Sequence, residues 1–493
     1  MTFLIYSVLT MNKKNTIIVK NYIFTTVYQM VSYIVPIVVT PYLSRIFGPS
    51  GVGIQSYVCA VTSYFTMFAM LGTSIYGARE IAQCRDNILI CSTKFWEIHF
   101  LKVITTFVSA IIWCAFFLLT TRYSSFYLAA AVQIIATIFD VSWFFEGHEK
   151  MDVIAVRNII VKLLNCIFVF SRIKSSNDLW IYILSIGVFT IVGNLSLWIS
   201  IKRYLVHIDF RSINIRRHIK NTLVYFIPTF ATFVYTVLDK VMIGVITKSE
   251  TENGLYEQAE RIVNIGKNLV CTLPNVISVR ISYLFASGNE REIMEKFKIS
   301  IEFYWLIGLP LTMGMIGISH SFVPWYFGNG FEQVEYLIYI MSWLVLVVGA
   351  SAVLGRVYLT PSGQRARSSK AIVAGAVFNF ILNLVLIPKF GAYGAAIATL
   401  AGEVLVTFMY LYMCMEFIRI SDFYTSSIKK IIASVVMLGF IKSGFLNKLA
   451  TSWKLTMIQI VIGAVAYFFV LYILKDKLTI RILKKIVMLR RIN

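Results

Sequence analysis

Residues 98–145 read IHFLKVITTFVSAIIWCAFFLLTTRYSSFYLAAAVQIIATIFDVSWFF. Two apolar runs, 98–120 and 125–145, are separated only by a short polar break that holds Arg122. A helix needs about 20 mostly apolar residues to cross the ~30 Å hydrocarbon core of a bilayer, and each run has that length. A transmembrane β-barrel would show ~10-residue alternating segments instead. These runs are too long and too continuous for that. The stretch predicts a pair of membrane-spanning helices.

The pattern continues in both directions. Upstream lie 22–45 and 52–76. Downstream lie 153–171, 179–200, 222–246, 255–285, 299–322, 334–359, 371–388, 393–416, 430–447 and 455–474. The fold class is therefore all-α, a polytopic membrane protein with ~14 transmembrane helices. Composition agrees: 58% of residues are apolar, only 14% are charged, and mean hydropathy is +0.75. A soluble domain carries roughly 25% charged residues, which this chain lacks. The longest loop, 202–220, is about 19 residues, and loops this short leave no room for a soluble catalytic domain. That weighs against membrane glycosyltransferases and polysaccharide polymerases.

Lysine and arginine are unevenly placed. With the N-terminus inside, about 29 of the 46 fall in cytoplasmic segments and about 7 in external ones. The positive-inside rule then puts both termini in the cytoplasm. The densest patches are 202–220 and the tail from Lys475 to Arg491. A net charge of +22 could suggest nucleic acid, but the patches border spans, so the membrane's anionic lipid headgroups are the expected partner. The seven cysteines form no C-x-x-C pair, so a zinc site or disulfide framework is not expected; they read as small buried hydrophobes. No cleavable signal peptide is visible. Met11-Asn12-Lys13-Lys14 looks a more natural start than Met1, which makes residues 1–10 an upstream extension.

A weak repeat runs through the chain. Arg45-Ile-Phe-Gly48-Pro-Ser-Gly-Val-Gly53, Gly244-Val-Ile-Thr-Lys-Ser-Glu-Thr-Glu-Asn-Gly254 and Ile387-Pro388-Lys-Phe-Gly391-Ala-Tyr-Gly394 each read as a helix end, a tight outer turn and a glycine opening the next helix. Gly53 and Gly254 stand about 200 residues apart, which is roughly six spans. The expected organisation is an N-terminal six-helix lobe over 1–210 and a C-terminal six-helix lobe over 211–420. A terminal helix pair with its basic cytoplasmic tail occupies 421–493. Internal repeats of this kind mark transporters, with substrate held between the lobes.

Polar groups inside spans are costly and usually face the bundle interior or a hydrated cavity. In span eight, Glu257, Arg261, Asn264, Asn268, Thr272 and Asn275 recur at steps of three or four and share one helical face. Such a face can be a polar seam between helices or the wall of a hydrophilic cavity. Arg261 and nearby Lys267 exceed what helix adhesion needs and favour the wall. Arg280, further along, can line the cavity or snorkel to the surface. Span one offers Gln29, Ser32 and Thr40 on roughly one face, bent by Pro36 and Pro41, and ends at Arg45. Interface snorkelling and phosphate contact are both open for Arg45. Arg157, Lys162 and Arg356 are further cations within spans.

Asp239 is the lone acid deep in span seven. Asn379 and Asn383 share a face of span eleven, and Thr399 lies on span twelve. One carboxylate with amide and hydroxyl oxygens suits a hard monovalent cation, whereas thiolate and imidazole ligands are absent. Asp140, in span four, is a second buried acid, either a proton site or a counter-ion.

Thr40-Pro41-Tyr42-Leu43-Ser44-Arg45, Tyr76-Gly77-Ala-Arg79-Glu80 and Trp143-Phe-Phe-Glu-Gly147-His-Glu-Lys150 resemble the Wzx-type oligosaccharide flippases. So do Asp239-Lys240-Val-Met-Ile-Gly244, Tyr256-Glu-Gln-Ala-Glu260-Arg261 and Asn379-x-x-x-Asn383-x-x-x-Ile387-Pro388-x-x-Gly391. The resemblance covers nearly the whole chain. It implies a superfamily that also holds multidrug antiporters and lipid II flippases. It implies as substrate a polyprenyl-diphosphate-linked oligosaccharide, an O-antigen or capsule repeat unit, moved outward across a bacterial cytoplasmic membrane with no covalent chemistry. A polysaccharide polymerase and chain-length machinery are the partners it suggests. In the lipid II flippase branch a sodium site uses an acid on span seven, two residues four apart on span eleven and a threonine on span twelve. Asp239, Asn379, Asn383 and Thr399 match those positions, and Asn383 departs where that branch can carry an acid. Na+ or H+ is the expected coupling ion. The rival functions are a cation-coupled multidrug antiporter, which would want an acid-rich cavity, and a membrane sugar polymerase.

Overall fold

The computed structural model describes residues 13–417, 427–443, 450–476 and 478–481, and every regular element among them is a helix. The proposed start at Met11 and most of the basic tail lie outside the described residues. Among the described residues, ten helical stretches are long and apolar enough to cross a membrane. Two of them hold two crossings each. The first, α1 (Lys13–Met70), turns at Gly48, whose φ of 63° is left-handed. The other, α13 (Arg365–Cys414), turns at Gly391 with φ 54°. Left-handed backbone is strained for any side chain with a Cβ, so glycine marks both turns. With α8 (Arg216–Thr247) and α14 (Ile428–Ile441), which stand outside the ten, the crossings number about fourteen, as the hydropathy pattern predicts.

The remaining elements are α2 (Thr73–Cys84), α3 (Ile88–Leu119), α4 (Ser124–Phe139), the short α5 (Ser142–Gly147), α6 (Met151–Arg172) and α7 (Leu179–Ile201). After α8 come α9 (Glu250–Ser287), α10 (Glu290–Phe327), α11 (Val334–Met341) and α12 (Trp343–Ala352), with a π-helical turn over Val353–Leu359. The last is α15 (Trp453–Ile473). Side-chain caps set several starts, since the first turn of a helix leaves backbone N–H groups unsatisfied. Asn87 accepts from the N–H of Ile90, Ser249 from Glu252, Asn289 from Glu292 and Ser452 from Leu455. The second repeat turn departs from the expected pattern. Its left-handed residue is Lys248, and Ser249 caps α9, so Gly254 lies one turn inside the helix, buried, instead of opening it.

Two compact units divide the chain, residues 1–241 and 242–493. In the first, an aromatic core of Phe95, Trp143, Phe144 and Trp198 joins α3, α5 and α7. Lys102 is fully buried, with its ammonium 3.6 Å from the Asp140 carboxylate and bonded to the Asp140 carbonyl. Of the two roles open to Asp140, this geometry supplies the counter-ion. The 202–220 loop is not wholly free for lipid. Val206 N–H donates to Ser92, and Glu97, fully buried on α3, accepts from the Asn214 N–H at 2.8 Å and pairs with Arg217 and His218. Lys202, Arg203, Arg211, Arg216 and Lys220 remain exposed.

In the second unit the terminal pair α14 and α15 packs onto α10 through Leu306, Met437, Ile441 and Tyr467. Tyr467 donates to the Leu306 carbonyl at 2.9 Å, and a buried Lys430–Asp476 pair, also 2.9 Å, ties α14 to the segment after α15. Of the cysteines, Cys84, Cys91, Cys271 and Cys414 are buried, and Cys84 and Cys91 stand with sulfurs 2.8 Å apart.

Candidate functional site

The period of α9 sorts its side chains. Val263, Gly266, Val270 and Pro274 are buried, while Arg261, Asn264 and Lys267 are half-buried and Asn268, Thr272 and Asn275 exposed. This is the amphipathic division of a 3.6-residue repeat. Arg261 forms an ion pair with Glu257 one turn earlier, at 2.9 Å. Glu257 and Arg261 therefore stand in each other's field at the start of the stripe. The hydroxyl of Thr272 is turned inward onto the Asn268 carbonyl at 2.9 Å.

The far end of the stripe gains a cation from another element. Arg356 donates to the Asn275 side-chain oxygen at 2.5 Å. It belongs to the π-helical turn, where Val353, Leu354, Gly355, Val357, Tyr358 and Leu359 are buried and Arg356 alone is exposed. A π-turn widens the helix by one residue and re-aims the side chains beyond it, a device common at functional sites. Lys267, Arg356 and Glu403 all act electrostatically on Cys271, which places these three charges around one stretch of α9. Glu403 is a residue that pattern reading missed. Its signal was available, a lone acid within an apolar run.

Other expected residues fall elsewhere. Arg280 is mostly exposed and pairs with Glu292 of α10 at 3.2 Å, its guanidinium over the Tyr283 ring. On α1, Gln29 is exposed and Ser32 half-buried, but Thr40 is 1% exposed. Gln29, Ser32 and Thr40 thus differ in exposure along their expected common direction. Helical period gives a direction, and packing covers that direction by the time the chain reaches Thr40. Arg45 is exposed and reaches back to the Pro41 carbonyl at 3.4 Å.

Three of the four expected cation ligands come together in the second unit. Asn383 donates to the Asn379 side-chain oxygen at 3.2 Å, and Asn379 donates to the Thr399 hydroxyl at 3.4 Å. The Tyr256 hydroxyl, which sequence reading did not assign, lies 3.3 Å from that of Thr399. Asp239, buried on α8, belongs to the first unit. By donor type the amide and hydroxyl oxygens fit a hard cation. Asn379 and Thr399 already accept hydrogen bonds here, which a cation would have to displace. Among the described residues no group of three or more His, Cys, Asp or Glu could hold a metal.

A family model described as polysaccharide biosynthesis protein matches residues 18–278, more than half of the chain. The chain belongs to the polysaccharide biosynthesis protein family. This membership agrees with the resemblance carried by the span-one and span-eight motifs. Among similar proteins, one of Escherichia coli strain K12 named "Putative O-antigen transporter" is 26% identical over 81% of this chain and 97% of its own length. A protein of the same name from Shigella dysenteriae is 23% identical over 80% and 98%. Among solved structures, the lipid II flippase MurJ in an inward closed conformation superposes with a TM-score of 0.71 at 15% identity, covering 93% of this chain and 99% of MurJ. An inward-facing multidrug MATE transporter of the MOP superfamily gives 0.61 at 12% identity, over 81% and 96%. At such identities the likeness establishes a shared fold. This member of the family is a multi-pass membrane protein of that fold.

Proposed function

We propose that the chain is a flippase that carries a polyprenyl-diphosphate-linked oligosaccharide repeat unit from the inner to the outer leaflet of a bacterial cytoplasmic membrane, by alternating access, for surface polysaccharide synthesis. The observation that carries the reading is the α9 stripe of the second unit, where Arg261, Lys267 and Arg356 accompany a line of amides and a hydroxyl that runs from half-buried to exposed. A diphosphate is held by cations with several donors, and Arg presents a planar fork suited to it. Sugar hydroxyls are matched by amide and hydroxyl groups that both donate and accept. Family membership and relatives named as O-antigen transporters support a glycan substrate.

Moving the substrate breaks no bond, so the reading is of a transporter and not of an enzyme. Carrying two negative charges outward, away from a negative interior, gains up to about 5 kcal/mol per 100 mV. Na+ or H+ coupling belongs to the same proposal. Asn379, Asn383 and Thr399 would supply neutral oxygens to Na+, and Asp239 the charge that balances it. Both termini would be cytoplasmic, and a polymerase with its chain-length machinery would take the unit at the outer leaflet. A drug antiporter of the same fold would need acids to hold cationic drugs, and the stripe is predominantly basic.

Cells in which this chain is the only flippase for their repeat unit test the reading. Its removal should leave lipid-linked units confined to the cytoplasmic leaflet and abolish surface polysaccharide. Unchanged surface polysaccharide would contradict it.

A further inference from the structure

The first unit holds a charged recess of its own, built from residues outside α9. A pocket of about 380 Å³ lies between α1, α6 and α7. Its polar lining is Arg157 and Asp152 of α6 and Ser196 and Ser200 of α7, and Val156 and Ile160 are among its apolar lining. Arg157 is positioned from behind. Its Nη1 donates to Asn194 at 3.2 Å, and Asn194, itself buried, donates to the Ala136 carbonyl at 2.9 Å. The guanidinium crosses α7 at Gly193, where even one added methyl group would stand 3.3 Å from Nη1. Nε of Arg157 is buried with no hydrogen-bond partner among the described residues. Asp140, which acts electrostatically on Arg157, has Lys102 at 3.6 Å as its own counter-ion. A half-buried cation with donors to spare is costly unless an anion completes it.

The apolar side leads somewhere. Val156, Ile160, Leu163 and Ile167 repeat at three and four residues along α6 and are 41–64% exposed, so the pocket continues as an apolar strip on the helix surface. At its polar end, Ser200 is followed by exposed Lys202 and Arg203 and then the basic 202–220 loop, which is headgroup territory. Asp152 lies five residues before Arg157, about 7.5 Å along the helix axis. A recess with a cation, an acid within reach and an apolar strip matches a zwitterionic amphiphile. We infer that the pocket between α1, α6 and α7 binds a phospholipid whose head carries a phosphate and a primary ammonium, with the phosphate on Arg157 and the ammonium on Asp152. The acyl chains then lie along the α6 strip. The site is distinct from the transport stripe and takes bulk lipid, so it stands whether or not the transport reading does.

Native mass spectrometry of the purified full chain in detergent reads the site directly. With equimolar phosphatidylethanolamine, phosphatidylglycerol and phosphatidylcholine, the wild type should retain phosphatidylethanolamine in preference to the others. Arg157→Gln should lower that retention by roughly tenfold or more, the usual weight of a hydrogen bond to a charged group. Asp152→Asn should keep the phosphate contact and turn the preference towards phosphatidylglycerol. Ser200→Phe fills the recess from α7 with Arg157 intact and should reduce retention as strongly, which decides the matter if Arg157→Gln elutes as aggregate. Equal retention of the three lipids by the wild type, or wild-type retention in Ser200→Phe, would overturn the assignment. Displacement of the bound lipid by equimolar inorganic phosphate would make the site a free-anion site. Displacement by equimolar polyprenyl phosphate would make it a carrier-lipid site. Either displacement overturns the assignment.

Discussion

Arg356 donates to the side-chain oxygen of Asn275 at 2.5 Å, and that contact brings a second helix to the polar face of α9. Arg356→Ala should therefore depress transport while the protein stays at normal abundance in the membrane, since its side chain is exposed and supports no core. The loss of one charge-assisted contact to a diphosphate predicts roughly a 10- to 100-fold fall in flipping rate. Asn275→Ala should give a smaller fall, because it removes the positioning partner and leaves the charge.

Arg261 gives the parallel test at the other end of the stripe. Arg261→Ala should reduce surface polysaccharide without lowering protein abundance, and Arg261→Lys should restore part of it if charge is what counts. Full activity in the Ala variant, scored by polysaccharide blotting beside a membrane immunoblot, would reduce the stripe to an adhesive seam.

How far the residues themselves announce this structure depends on the range of the interaction. Spans and the α9 stripe are written in local periods, and both were legible. So were the turns at Gly48 and Gly391, because left-handed backbone selects glycine. Lys248 takes the same conformation at the second turn without that signal. Lys102 and Asp140 are 38 residues apart, and Glu97 meets Arg217 and His218 from about 120 away. Neither pairing has a local period, so pattern reading picked out Asp140 without its partner and gave Lys102 and Glu97 no role. Thr40 shows the converse, a correct helical direction covered by packing that only the tertiary fold determines.

The Lys102–Asp140 pair predicts a stability effect. Removing one member leaves a buried charge uncompensated, at a cost of about 3–5 kcal/mol. Lys102→Met should lower the melting temperature in detergent and the yield of folded protein. Lys102→Met with Asp140→Asn should recover much of that loss, because both charges go together. A double variant no better than the single would show that the two side chains do not compensate one another.

Coupling can be tested on the amide cluster. If Asp239, Asn379, Asn383 and Thr399 serve Na+, Asp239→Asn removes the formal negative charge and should abolish sodium dependence. Asn383→Asp adds a carboxylate and should tighten sodium binding. A proton site at Asp239 instead predicts transport that follows pH, ignores sodium and tolerates Asn379→Ala. Proteoliposomes with independent sodium and pH gradients separate the two, and equal transport with neither gradient would exclude both.

Orientation is checked with reporter fusions. Fusions at Arg211 and Arg367 should read cytoplasmic, and those at Ser175 and Asn329 external. An external reading at Arg211 would reverse the charge-based topology and the direction of the proposed transport.

The most direct measurement is flipping itself. Proteoliposomes of the purified chain, loaded with a fluorescent polyprenyl-diphosphate oligosaccharide, are exposed to a membrane-impermeant quencher. The account predicts protein-dependent movement of the diphosphate head across the bilayer, faster when the potential favours outward transfer of negative charge and lost in Arg261→Ala combined with Arg356→Ala. Movement no faster than in protein-free vesicles, with correctly folded protein present, would contradict it.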